Sequence, residues 1–214
     1  MTTQLDIYNN ALMLCEERFL ASLTEEREPR RLLDLVWSSG GVQNCLEDGQ
    51  WNFAMRSIQI DYDPGIEPSF GYRRAFDKPT DWLLTSAMAQ DEYFRSPLLR
   101  YWDEAGFWYA DLDTIYVRYI SSDPAYGLDL NKWPNSFYDY VCESFANKVI
   151  LKLTRSEAKL EASTKRLAEK LKIARSAAAM SQPTSFPARG SWGLSRQRYG
   201  GRGDRGNTSG NLIG

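Results

Sequence analysis

The feature that most constrains this chain is a change of hydrophobic period, from helical to alternating and back to helical. Leu5, Tyr8, Leu12 and Cys15 recur at spacings of 3, 4 and 3, which makes one stripe of a helix over about residues 3–18. Ser22-Leu-Thr-Glu25 has the form of a capping box, and Pro29 fits the first turn of a second helix. Leu32, Leu33, Leu35 and Val36 supply its apolar face. Ser38-Ser39-Gly40-Gly41 then breaks the pattern, and each glycine inside a helix costs about 1 kcal/mol relative to alanine. Either two shorter pieces meet there or one helix continues through a weak point; the second is the expectation.

From Trp51 the period shortens to two. Ile58, Ile60 and Tyr62 alternate with Ser57, Gln59 and Asp61, and Pro64-Gly65 and Pro68 mark turns. Trp82–Met88, Phe107–Tyr109 and Thr114–Ile120 are further short apolar runs, the last with apolar residues on both faces. Residues 52–121 therefore read as a small, mainly antiparallel β region of four to six short strands. Helix returns after Trp133-Pro134, where Cys142, Phe145, Ala146, Val149 and Leu153 form a stripe. Thr154-Arg-Ser-Glu157 has the form of a second capping box and opens a long charged helix to about Met180. Leu160, Thr164, Leu167, Leu171, Ala174 and Ala178 repeat along it at 4, 3, 4, 3 and 4, a narrow seam. Such a seam suits packing on one neighbour, or a helix lying on its own domain.

Beyond Gln182 the composition shifts. The last 33 residues hold 8 of the 15 glycines, five arginines and one acid, with too little apolar area to offset the entropy of ordering alone. Phe186, Trp192, Leu194 and Tyr199 are aromatic or apolar anchors on this basic strand, which suits a segment that orders on a partner. Charge divides the same way. Residues 1–154 carry 14 Lys+Arg against 24 Asp+Glu, whereas residues 155–214 carry 12 against 4. An acidic body joined to a basic C-terminal arm implies that the arm meets an acidic surface, of protein or nucleic acid.

The chemistry open to the chain is narrow. With no histidine, imidazole acid/base catalysis, Ser-His-Asp and Cys-His nucleophiles and imidazole metal sites are all excluded. Cys15, Cys45 and Cys142 are far apart, lack C-x-x-C spacing and sit beside apolar neighbours, as buried free thiols of a reducing compartment do. Neither a metal site nor a cofactor is expected, and no phosphate-binding glycine loop occurs. Glu16/Glu17, Asp91/Glu92, Asp103/Glu104 and Asp111/Asp113 are acidic doublets, but glycan cleavage needs two carboxyls straddling one bond, and sequence neighbours do not supply that. No catalytic residue is assigned. Arg202-Gly203-Asp204 is the adhesion tripeptide by spelling, in a segment where glycine and arginine make it a chance event. No apolar run is long enough for a membrane span, and the N-terminus lacks a signal-peptide pattern, so synthesis in a cytoplasm is expected.

Trp51-Asn52-Phe53-Ala54-Met55-Arg56 resembles a junction found in the tail tubular protein A family, the head-to-tail adaptors of short-tailed bacteriophages. Ala11-Leu12 through Ser22-Leu23 resembles the family's opening helix and turn, and Lys78-Pro79-Thr80-Asp81-Trp82-Leu83-Leu84 its step into a strand. Ile115–Ser121 followed by Asp123-Pro124 resembles its last strand, and Phe137–Ser156 its next helix. The likeness covers about residues 5–180 and departs at Lys78, where the family has an apolar residue, and at Ser38–Gly41.

The resemblance implies an α+β fold. A helical bundle would come from the N-terminal segment 1–50 and the C-terminal segment 133–181, with a small antiparallel β domain, 51–122, inserted between them. Residues 182–214 would form an extended docking arm. The resemblance also implies a structural virion protein, not an enzyme. It would self-associate into a dodecameric ring, join the portal protein to the tail nozzle protein, and let double-stranded DNA pass during ejection. Residues 155–214 would attach to the portal, with Phe186, Trp192, Leu194 and Tyr199 as anchors and Arg189, Arg196 and Arg198 as charge partners. An acidic body agrees with passive DNA contact, because many lysines and arginines on phosphates would grip the duplex. Two other readings stay open on the residues alone: a glycan or peptidoglycan hydrolase, and a nucleic-acid-binding accessory protein using the Arg/Gly segment.

Overall fold

The computed structural model describes residues 3–104 and 106–181. It has an α+β architecture, in which helices from both ends of the chain enclose one core and the segment between them builds two three-stranded antiparallel sheets.

Helix α1 (Gln4–Leu14) opens at Thr3, whose hydroxyl accepts from the Asp6 amide while the Asp6 carboxylate accepts from the Thr3 amide at 2.8 Å. This capping box, Thr3-Gln-Leu-Asp6, went unread in the sequence. The helix buries Ile7, Tyr8, Ala11 and Leu12, then stops four residues short of the expected end. Glu16 turns the chain at φ 61°, and the Glu17 amide returns to the Leu12 carbonyl at 2.9 Å. Helices α2 (Glu28–Ser38) and α3 (Gly41–Glu47) are separate, correcting the expectation of one continuous helix. Gly40 sits at φ 81°, a left-handed conformation that ends α2. A Cβ on Gly41 would stand 2.6 Å from the Val36 carbonyl and 3.0 Å from the Phe145 ring, so only glycine lets α3 restart this close. The Ser22–Glu25 box is also not a helix cap. The Glu25 carboxylate accepts from the Ala21 amide in the loop, and α2 begins at Glu28 after Arg27, an N-cap residue with no side-chain capping bond.

The chain crosses into the β region at Trp51, followed by a 3-10 turn at Asn52–Ala54. Strands β1 (Met55–Asp61), β3 (Trp82–Ala89) and β6 (Thr114–Ser121) form the first sheet in the order β1-β6-β3. Strands β2 (Arg74–Asp77), β4 (Trp102–Glu104) and β5 (Phe107–Ala110) form the second, β2-β5-β4. The register Met55↔Ile120↔Leu84 turns one row of the first sheet toward the helices, where Ile120 is buried in the helical core. Ile115, Val117 and Tyr119 face the other way, into a second core with Phe76, Met88 and Trp108. The strand whose two faces both looked apolar in the sequence is therefore the middle strand shared by two cores.

Helices α4 (Asn135–Thr154) and α5 (Glu157–Met180) complete the bundle as an antiparallel pair. Arg155 at φ 52° makes the turn, and Ser156, not Thr154, caps α5 by accepting from the Lys159 amide. Thr154 fails as a cap because it is still helical, with its hydroxyl on the Ile150 carbonyl at 2.7 Å. The α5 seam packs Leu160, Leu167, Leu171, Ala174 and Ala178 on the bundle, but Ser163, not Thr164, is the buried residue of its second turn. The cause lies on α4. Glu143, 2% exposed, needs donors, and takes them from Ser163 Oγ at 2.9 Å and Arg166 Nε at 3.2 Å.

Cys15, Cys45 and Cys142 are buried free thiols, all within the helical core. Among the described residues no helix is long and apolar enough to cross a membrane.

Candidate assembly surfaces

The proposed docking residues Phe186, Arg189, Trp192, Leu194, Arg196, Arg198 and Tyr199 lie outside the described residues. The basic segment that precedes them can be followed to Ser181, and part of its charge is taken up by the bundle itself. Along α5, Lys159 meets Glu16 at 2.7 Å, Arg166 meets Glu143, Lys170 meets Asp139 at 2.7 Å, and Arg175 Nε donates to the Asp48 carbonyl at 2.8 Å. For Lys159, Arg166 and Lys170 the acidic partner is the chain's own body.

The acidic doublets serve local roles. Glu16 holds Lys159, and that hydrogen-bonded ammonium keeps its carboxyl below the ordinary carboxylate range. Asp91 accepts the amides of Ser96 at 2.7 Å and Arg95 at 3.1 Å, which lowers its carboxyl likewise and orders the loop after β3. Asp111 accepts from the Arg73 amide at 3.0 Å, and Asp113 binds the Arg74 guanidinium at 3.0 Å. A glycosidase acid needs its carboxyl raised, the opposite direction from Glu16 and Asp91. Among the described residues no group of Cys, Asp and Glu side chains is placed to hold a metal ion.

Two polar centres hold the β insertion. Asp81, in the turn before β3, accepts from Arg56 at 3.1 Å, from the Tyr119 hydroxyl at 3.1 Å and from the Ser121 hydroxyl. Burial pushes its carboxyl up, but the bonds from Ser121, Arg56 and Tyr119 together outweigh this and hold it below the ordinary range. One side chain thereby joins β1, β6 and the turn into β3. The second centre surrounds Lys78, whose side chain is 6% exposed. Its ammonium lies 3.8 Å from the Trp82 ring centroid and 5.6 Å from that of Trp108, and pairs with Asp103. Asp103 also accepts from Thr85 Oγ1 and Trp108 Nε1, each at 3.1 Å. The departure at Lys78 is thus a cation enclosed by indoles and tied to one carboxylate of a doublet.

The outer face of the second sheet is different. Cross-strand register sets Trp102 beside Tyr109, and places Phe107 between Asp77 and Glu104. The loop before β2 adds Phe70, 79% exposed, and Tyr72; their rings meet Trp102 edge-on at 6.2 and 5.2 Å. Gly71, at φ 88°, permits this, because a Cβ there would stand 2.6 Å from the Trp102 ring. Trp102 is 42% exposed, and a shallow cavity of about 200 Å³ opens among Pro68, Phe70, Trp102, Glu104 and Tyr109. Leu99, in the strand-to-strand loop nearby in sequence, is 84% exposed. Phe70, Tyr72, Trp102 and Tyr109 thus form a contiguous, partly exposed aromatic face on an ordered sheet. Sequence reading missed this face because β2 and β4 are short and carry no alternating signal; the pairing of Trp102 with Tyr109 appears only in the register of β4 on β5. None of the protein-family models compared with the chain matches it, and neither does any curated protein.

Proposed function

We propose that this chain is a head-to-tail adaptor subunit of a short-tailed phage particle: a structural virion protein that docks on the portal, associates with further copies of itself in a ring and joins the portal to the tail nozzle. The observation that carries the reading is the order of the elements. Helices from the two ends of the chain form one bundle and the antiparallel β segment interrupts it, which is the arrangement implied by the resemblance at Trp51–Arg56. That motif also has a physical task here. Trp51 is fully buried, donates its indole N–H to the Cys45 and Leu46 carbonyls at 3.2 and 3.0 Å, and packs on Phe137 at 4.7 Å, fixing where bundle gives way to insertion.

Two further features support the reading. The outer aromatic face of the second sheet leaves apolar surface that an isolated chain gains nothing by exposing, as expected of a component that is covered in an assembly. The doublet carboxylates Glu16, Asp91, Asp103, Asp111 and Asp113 are engaged in turns and ion pairs. Mass photometry of the purified chain, alone and mixed with the cognate portal ring, tests the proposal. A shift from small species to one large, discrete complex is the expected result. A chain that ignores the portal overturns it.

A further inference from the structure

At the C-terminal end of α4 the bundle carries a groove of about 740 Å³ that plays no part in the surfaces above. Arg27, Lys148, Lys152 and Arg155 line it together with Glu17, Glu28 and the half-exposed Leu151. Lys78, Lys159, Arg166 and Lys170 each pair with a carboxylate. Here, among the described residues, the side chains of Lys148, Lys152 and Arg155 form no ion pair, although Glu17 and Glu28 share their groove. Arg27 pairs with Glu25, outside the groove, at 3.6 Å and donates to the Arg18 and Phe19 carbonyls.

Lys148 and Lys152 are one helical turn apart on α4, so their ammonium groups emerge side by side, about 6 Å apart at the Cβ atoms. Arg155 continues the row past the helix end. Four cations against two carboxylates leave the groove net positive on a body that is otherwise acidic. We infer that this groove binds an acidic, partly apolar segment of a partner protein, with two or more of its carboxylates on the Lys148–Lys152–Arg155 row and an apolar residue against Leu151. The presence of Glu17, Glu28, Leu151 and Leu153 in the lining disfavours a uniformly charged phosphate backbone. The groove lies at the far end of α4 from Trp51, and 20 helical residues separate the two ends by roughly 30 Å. This inference rests on the adaptor reading only for the identity of the partner: it gives the bundle end its own docking chemistry, distinct from the aromatic face of the insertion.

The test uses the full chain and fluorescence anisotropy with three labelled probes: a twelve-residue peptide alternating Glu or Asp with Leu, its Gln/Asn counterpart, and an oligothymidylate of similar charge. The acidic peptide should bind, weaken with salt, and lose at least about tenfold in affinity to Lys148→Gln/Lys152→Gln, while the neutral peptide does not bind. Both lysine side chains are exposed, so an unchanged melting curve verifies the fold of the variant. Equal binding by the variant, no binding of the acidic peptide, or binding of the oligothymidylate in its place each overturns the inference. A chain that joins the portal but ignores the acidic peptide fails this inference alone; one that binds the peptide but ignores the portal fails the adaptor reading alone.

Discussion

The helical bundle and the β insertion are held together by different physics. In the bundle, side chains from all five helices pack into one apolar core, and the deeply buried charge of Glu143 is answered at once by α5. The insertion has a smaller apolar core and places its charges inside the scaffold, with Asp81 joining three segments and Lys78 held between two indoles. Apolar burial is non-directional and tolerates rearrangement. Polar centres are directional, so they fix strand positions sharply but depend on protonation. What the difference teaches is that the bundle is built to persist, and the insertion to present a defined face.

The largest effect should come from the bundle. Trp51→Ala removes a fully buried indole from the junction and should cost about 3–5 kcal/mol, read as a fall in the urea midpoint. A loss below about 1 kcal/mol would break the comparison by showing that the junction is not part of the apolar core.

Asp81→Asn comes next, at about 2 kcal/mol near neutral pH, since it leaves Arg56 and the Tyr119 and Ser121 hydroxyls poorly answered. Its sign with pH is fixed. The folded carboxyl lies below the ordinary 3.8, so its contribution is whole above that value and fades as the pH falls through the lower folded one. Tryptophan fluorescence during acid titration should therefore show a stability loss in the wild type that Asp81→Asn has already suffered and does not repeat.

Lys78→Met should have a smaller effect, a loss of about 1 kcal/mol, because Asp103 is partly exposed and keeps its bonds from Thr85 and Trp108. Thermal unfolding measures it. A gain in stability instead would show that the indole pair tolerates its cation rather than needing it, and would place the insertion closer to the bundle.

Least affected in stability should be Phe70→Ser combined with Trp102→Ser, within roughly 0.5–1 kcal/mol, since Phe70 is largely in solvent and Trp102 is partly exposed. Yet this pair should abolish the large complex with the portal ring in mass photometry. Retained assembly would remove the aromatic face from the proposed function.

The legibility of the fold follows the same division. Helices announced themselves wherever apolar residues kept a 3.6-residue period, as in the α4 stripe and the α5 seam. Their ends did not, because Thr154 and Ser156 are both competent caps and only the left-handed turn at Arg155 decides between them. The break at Gly40 was visible as composition, but the close approach of Gly41 to Val36 and Phe145 that makes it a full stop is a tertiary fact. In the insertion, β1 and β6 could be read from alternation, whereas β2 and β4 exist because β5 pairs with both. Lys78 looked like a departure from an apolar position, and its aromatic surroundings come from residues 4 and 30 positions away, Trp82 and Trp108. The basic groove combines residues from the loop before α2 with the end of α4, more than a hundred positions apart, a distance that no motif spans.

The placement of the thiols gives the molecule an internal clock. Burial pushes the Cys15 thiol up to about 11 and the Cys142 thiol to about 12, so at neutral pH neither offers thiolate to an alkylating reagent while the bundle is closed. All three cysteines belong to the bundle and none to the insertion. The rate at which a maleimide consumes them therefore times the opening of the helices alone, against a silent β background. A single cysteine introduced on the insertion would react at once and could be followed separately in the same sample.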